Sequence, residues 1–236
     1  MELTNRLRMN AELVPVGVRV ADIGCDHGYV SIYLAKNKNC RVIAMDVREG
    51  PLSMARKNIA ACGMSDLIEC RLSDGLTELM PGEADTLLIA GMGGMLINTI
   101  LQKDPAVLEE VQTLVLQPQS DLYEVRKCLL SLGFFIDREA FCVDSGKNYV
   151  AIRACRGVRQ GEEERHGQTA PYSEAELMYG RFLPETKDAG YREYLLNEKA
   201  KYESLLRKLE MEQSGGCQTR IPAIMHILDL LEQILW

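Results

Sequence analysis

The run Val20-Ala-Asp22-Ile-Gly24-Cys-Asp26-His-Gly28 sets two carboxylates, a thiol and an imidazole around paired glycines. Glycine lets a ligand approach the backbone closely, and the helix expected from Tyr29 turns its unpaired amides toward that ligand. The spacing is Asp-x-Gly-x-x-x-Gly, which differs from the G-x-G-x-x-G loop that cradles a pyrophosphate. A carboxylate just ahead of the glycines has no use beside two phosphates, but it would hold an ammonium. Asp46, with Val47 after it, stands 22 residues beyond Gly24, close to the ~20 expected of an acid that accepts ribose hydroxyls. Ser73-Asp74-Gly75 could read the exocyclic amine of an adenine. Gly91-Met92, in the loop Gly91-Met-Gly-Gly94, is small enough to let a flat ring approach.

These residues must be carried by regular elements, and the patterning supplies them. Short β-branched runs at 19–23, 41–45, 67–71, 86–90 and 113–117 read as buried strands. Amphipathic stretches near 29–38, 50–62, 94–103 and 120–132 read as helices between them. Two further strands, 134–143 and 148–155, flank the turn Asp144-Ser-Gly-Lys147. This alternation requires a largely parallel sheet covered on both faces, seven strands in all, with the last expected antiparallel. Each acid taken singly could be a solvated loop residue or a helix cap. Together they fall at consecutive strand ends, the edge where open α/β sheets bind ligands. Ammonium, ribose and adenine sites in that order point to S-adenosylmethionine. The expected fold is therefore α/β, a class I methyltransferase Rossmann-like seven-stranded sheet. The expected cofactor residues are Asp22, Gly24, Cys25, Gly28, Asp46, Val47, Ser73, Asp74, Gly75, Gly91 and Met92.

A catalytic domain is expected over 1–157, with a linker and a C-terminal helical hairpin over 158–236. The stretch from Gly157 to about Pro171 is polar and reads as the linker. From Ser173 the rhythm becomes helical: Tyr191, Leu195, Glu198, Tyr202, Leu205 and Leu209 recur at three- and four-residue steps. Ser214-Gly-Gly216 interrupts, and Ile221, Ile224, Leu228, Leu231 and Leu235 resume the pattern. Two coiled-coil-like helices packed antiparallel in a monomer are expected, the alternative being a dimeric coiled coil.

Apolar residues make up 47% of the chain and charged ones 26%, an ordinary globular balance. No apolar run is long enough to cross a bilayer, and Met1 to Arg8 lacks a signal-peptide core. A cytoplasmic protein with no membrane partner is expected. Its eight cysteines include no C-x-x-C pair and only three histidines accompany them, so reduced cysteines and no metal are expected. The net charge of −7 argues against a general nucleic-acid field, and any RNA contact must come from a local patch.

The Gly91-Met-Gly-Gly94 loop lacks the Asn/Asp-Pro-Pro-aromatic signature of exocyclic-amine methylation and the Pro-Cys of cytosine-C5 chemistry. Asn5-Arg-Leu-Arg8, Leu13-Val-Pro15, Ala21-Asp-Ile-Gly-Cys-Asp-His-Gly-Tyr29, Ala90-Gly-Met-Gly-Gly94 and Leu116-Gln-Pro-Gln119 resemble the bacterial tRNA (adenine-N1)-methyltransferases acting on position 22, the TrmK type. The resemblance covers about the first 155 residues. It implies methyl transfer to adenine N1 of a tRNA, whose base must be extruded from its stack. It puts Asp26 in the catalytic role of stabilising the cationic product ring, with His27 and Tyr29 adjoining. Arg6, Arg8 and Gln117 become candidate substrate contacts, and Arg192, Lys199, Lys201, Arg207 and Lys208 could hold the tRNA elbow. Gln119 departs from the pattern, which has Asn there, and an amide role at that position stays open. The alternatives are a small-molecule methyltransferase and a non-catalytic, cofactor-binding interaction protein.

Overall fold

The computed structural model describes residues 2–157, 171–211 and 220–236. The expected linker and the Ser214-Gly-Gly216 break lie outside the described residues. Residues 1–165 and 166–236 form two compact units.

The first unit runs α1 (Asn5–Leu13), β1 (Arg19–Ile23), α2 (Tyr29–Lys38), β2 (Arg41–Asp46), α3 (Glu49–Ala61), β3 (Ile68–Leu72), β4 (Thr86–Met92), α4 (Gly94–Lys103), α5 (Pro105–Glu110), β5 (Thr113–Pro118), α6 (Leu122–Ser131), β6 (Phe134–Asp144) and β7 (Lys147–Arg156). The sheet order is β3-β2-β1-β4-β5-β7-β6. The first five strands are parallel, and β7 is antiparallel to both β5 and β6. Winding reverses between β1 and β4, which opens a crevice beyond their carboxyl ends. Leu87, Leu88, Ile89, Leu114, Val115 and Leu116 are all buried on the two central strands, as a sheet covered on both faces demands.

Strand and helix positions follow the hydrophobic pattern to within a residue or two. The pattern does not reveal α5, a short helix that starts because Asp104 accepts from Val107 N and Pro105 occupies the first turn. Inside the unit, Arg126 on α6 and Glu139 on β6 form an ion pair with fully buried side chains.

The N-terminal helix is placed by contacts remote in sequence. Asp144 at the β6–β7 tip accepts from Arg6 N at 3.1 Å, and Asn5 Nδ2 donates to Val143 O at 3.3 Å. At the other end, Lys38 Nζ donates to the carbonyls of Ala11 and Glu12 at 2.9 Å each, a cation where the helix dipole is negative.

The second unit contains α7 (Glu174–Tyr179), a 3₁₀ turn (Pro184–Thr186), α8 (Ala189–Met211) and α9 (Ile221–Ile234). Where the pattern from Ser173 reads as two long helices, the chain first makes a capped short one. Ser173 and Glu176 form a capping box and the helix stops at Gly180. Lys199 pairs with Glu232 at 3.0 Å, while Arg192 Nε donates to Trp236 O at 3.2 Å, so α8 and α9 run antiparallel. Tyr191, Leu195, Leu209, Ile224 and Leu231 are the buried members of the expected seam. Three of the five cations read as tRNA contacts are thus held within the unit: Arg192 and Lys199 as above, and Lys201 by Glu198.

Candidate functional site

The loops after β1, β2, β3 and β4 enclose a cavity of about 420 Å³, within the ~300–1,000 Å³ usual for small-molecule sites. Every expected cofactor residue lines it except Gly28. Gly28 acts one layer back. At φ +74 it starts α2 in the left-handed region, and a Cβ there would sit 3.1 Å from Ala55 Cβ on α3, so it lets the two helices pack closely.

Asp22, the penultimate residue of β1, is buried, with one carboxylate oxygen accepting from Ser31 Oγ at 2.6 Å. Burial, helped by the nearby Asp46 charge, pushes its pKa up to about 6. Asp46 is also buried. Its Oδ2 accepts from Asp26 N at 3.2 Å and its Oδ1 from Arg48 N at 2.9 Å. Two backbone amides thus fix the carboxylate and brace the β1 loop against the β2 loop. Burial and these acids push the Cys25 thiol far up, which keeps it a neutral lining group.

On the β3 side, Ser73 Oγ donates to Gly75 O at 2.9 Å and accepts from Glu78 N at 3.2 Å, shaping the turn. Asp74 is exposed and paired with Lys103 at 2.9 Å. Its neighbour Gly75 offers backbone at the wall, while the Asp74 carboxylate at the rim is paired with a lysine.

Asp26 has φ +51, a left-handed backbone that costs a non-glycine residue about 1 kcal/mol. Such an outlier at a ligand cavity points to a side chain kept for function. Its carboxylate is exposed and lies 3.9 Å from His27 Nε2, and the rings of His27 and Tyr29 are 5.9 Å apart. The three residues expected to be catalytic are brought together at the cavity wall.

Across the cavity, Arg6 enters from α1. Its Nη1 donates to Gln117 Oε1 at 3.0 Å, and the guanidinium lies over Tyr149 at 5.5 Å. A β-bulge between Ala90 and Met92 raises Gly91 to φ +79, and a Cβ there would come 3.2 Å from Arg6 Nη1. A side chain there would strain the backbone and press on that guanidinium. Gln117 is fully buried, with both amide ends used: one by Arg6, the other donating to Pro118 O at 3.1 Å. Gln117 therefore positions Arg6 and does not line the cavity. Arg8 is exposed and also lies outside the lining. Gln119 and Arg48 do line the cavity, though neither was among the expected site residues. Gln119 follows directly on the end of β5, the strand edge at which open α/β sheets bind ligands.

Two buried carboxylates with Asp26 beside them give the wall an excess of negative charge, offset by Arg6 and Arg48. Such a wall suits a zwitterionic, cationic nucleoside: Asp22 could meet an ammonium, Asp46 a diol, and the bare Gly91 loop a reacting centre. Among the described residues no group of three or more His, Cys, Asp or Glu is placed to hold a metal ion.

Similar proteins agree with this geometry. A family model described as "Methyltransferase domain" matches residues 3–152. The tRNA (adenine(22)-N(1))-methyltransferase of Bacillus subtilis is 29% identical over 240 residues, covering 100% of this chain and 98% of that one. The crystal structure of the B. subtilis M1A22 tRNA methyltransferase TrmK superposes with a TM-score of 0.85 at 27% identity, over 100% of this chain and 99% of that one. A candidate tRNA (m1A22) methyltransferase of Streptococcus pneumoniae, solved in complex with S-adenosyl-L-methionine, superposes with a TM-score of 0.83 at 26% identity over the whole of both chains. With its sheet, its strand-end cavity and a family model spanning most of the first unit, this chain belongs to the methyltransferase-domain family.

Proposed function

We propose that this chain is an S-adenosylmethionine-dependent tRNA methyltransferase that methylates N1 of the adenine at position 22. One observation carries the reading. A cavity whose buried acids lack a full cationic complement opens at the β1/β4 crevice, in a chain similar from end to end to the B. subtilis tRNA (adenine(22)-N(1))-methyltransferase.

The cofactor supplies a methyl group on a sulfonium. Asp22 meets its ammonium and is thereby kept ionised, Asp46 accepts the ribose hydroxyls, and the Ser73–Gly75 turn borders the adenine. Gly91 leaves the reacting face free of side-chain bulk, while the Met92 side chain reaches across to Gly24. Adenine N1 has an available lone pair, so no strong base is needed to make it nucleophilic. The ring becomes cationic on methylation, and Asp26, held at the wall by its strained backbone, stabilises that charge. Tyr29, on the same wall, offers a ring face for the extruded base. Arg207 and Lys208 on α8, which pair with no acid among the described residues, are the remaining candidates for phosphate contact. A monomer acting in the cytoplasm fits this role, and no helix among the described residues is long and apolar enough to cross a membrane.

The test is calorimetric titration with S-adenosylmethionine and its demethylated product, followed by transfer of labelled methyl to unmodified bulk tRNA. Heat with both ligands and label in tRNA are expected. Heat without transfer would leave only a cofactor-binding protein, and label in small molecules alone would favour a small-molecule enzyme.

A further inference from the structure

Beyond the first-unit residues already given roles, one polar side chain of the cavity wall remains uncommitted. Gln119 lines the cavity and is exposed, and its side-chain amide makes no hydrogen bond among the described residues. Its base is nonetheless fixed. Gln119 N donates to Met92 O at 2.8 Å, tying the end of β5 to the bulged end of β4. Its Nε2 then lies 3.7 Å from where a Cβ on Gly91 would be. A free amide is delivered from a rigid mount to the loop beside the reacting centre.

We infer that Gln119 is the specificity-determining residue that selects adenine, by pairing its amide with N6 and N7 of the target base. This rests on the adenine-N1 reaction proposed for the same cavity. A primary amide presents one acceptor beside one donor. Adenine presents the complement along its N6 and N7 edge, the two-point pairing that Gln and Asn make with adenine. That edge excludes N1, so the base is held while the nucleophilic lone pair stays uncovered. Guanine offers two acceptors there, O6 and N7, and sets its O6 against the amide oxygen. Arg6, the neighbouring donor fork, matches guanine by type. Its Nη1 is already engaged by the buried Gln117, which turns the arginine from base reading toward holding an anion. The two glutamines thus divide the work at the end of β5: Gln117 restrains the arginine and Gln119 reads the base.

The experiment compares wild type, Gln119→Ala and Gln119→Glu on tRNA transcripts carrying adenine, 7-deazaadenine or guanine at position 22. 7-Deazaadenine keeps N1 and N6 and lacks only the N7 acceptor. Wild type should lose about tenfold in kcat/KM on 7-deazaadenine, the effect of one unmet buried hydrogen bond. Gln119→Ala should lose about ten- to hundredfold on adenine and show no further loss on 7-deazaadenine. Gln119→Glu, which accepts from N6 but sets an acceptor against N7, should show no penalty for the deaza change. Calorimetric S-adenosylmethionine binding should match wild type in both variants and reports that they are folded. The inference is overturned if Gln119→Ala keeps the wild-type deaza penalty or full turnover, or if wild type ignores the deaza change or prefers guanine. Failure of the underlying reaction looks different: wild type itself would then leave the adenine transcript unmethylated.

Discussion

Replacing Asp22 by Asn should stabilise the ligand-free protein while removing its grip on the cofactor. The carboxyl is fully buried, and its pKa rises from 3.8 to about 6. At ~1.4 kcal/mol per unit, that shift means the ionised form costs the native state about 3 kcal/mol at neutral pH. Because the folded pKa lies above the unfolded one, this group favours folding most at low pH. Stability is lost as pH rises from about 4 to 6 and changes little above that window. Asn keeps the shape and can still accept from Ser31 Oγ, so the substitution removes the charge and leaves the packing. For a unit of this size each kcal/mol shifts Tm by about 2–4 °C, so Asp22→Asn should melt roughly 6–12 °C higher at pH 7 and lose the pH dependence between 4 and 6. Wild-type affinity for S-adenosylmethionine should fall as pH drops through about 6, and the variant should bind at least tenfold more weakly at pH 7. Thermal melts across that range, paired with calorimetry, read both arms. A variant that melts no higher than wild type, or binds as tightly, would refute the claim that Asp22 is a strained charge awaiting a cation.

Asp26→Gly should relieve the left-handed backbone and raise stability by about 1 kcal/mol, yet lower methyl transfer about a hundredfold with cofactor binding intact; full turnover would remove Asp26 from the reaction. Arg126→Ala strands the buried Glu139 and should destabilise by about 3–5 kcal/mol in chemical denaturation, with Arg126/Glu139→Met/Leu closer to wild type. Charge reversal of Arg207 and Lys208 together should weaken tRNA binding and reduce its salt slope by roughly one to two, measured by filter binding across salt concentrations.

The strand–helix order was legible because burial on two faces writes β-branched runs into the chain, and the acids that line the cavity were legible because they lie at or just past the ends of such runs. Arg6 shows what the sequence alone leaves hidden. On an amphipathic helix it reads as an outward phosphate contact. In the fold, Asp144 and Gln117, 138 and 111 residues away, turn it into the cavity. Gln117 was expected at the substrate and Gln119 left open. The burial of one and the freedom of the other depend on that arginine and on the bulge at Gly91, neither of which periodicity records. Gly28 was assigned to the ligand because glycine-rich loops usually serve ligands, whereas here it serves the contact between α2 and α3.

Primer extension on unmodified tRNA after incubation with the protein and S-adenosylmethionine tests the account most directly, since a methyl on N1 blocks pairing and halts the polymerase. A single new stop at position 22, dependent on cofactor and absent when that adenine is replaced, is the predicted result. A methylated tRNA with its stop elsewhere, or no stop at all alongside normal cofactor binding, would contradict it.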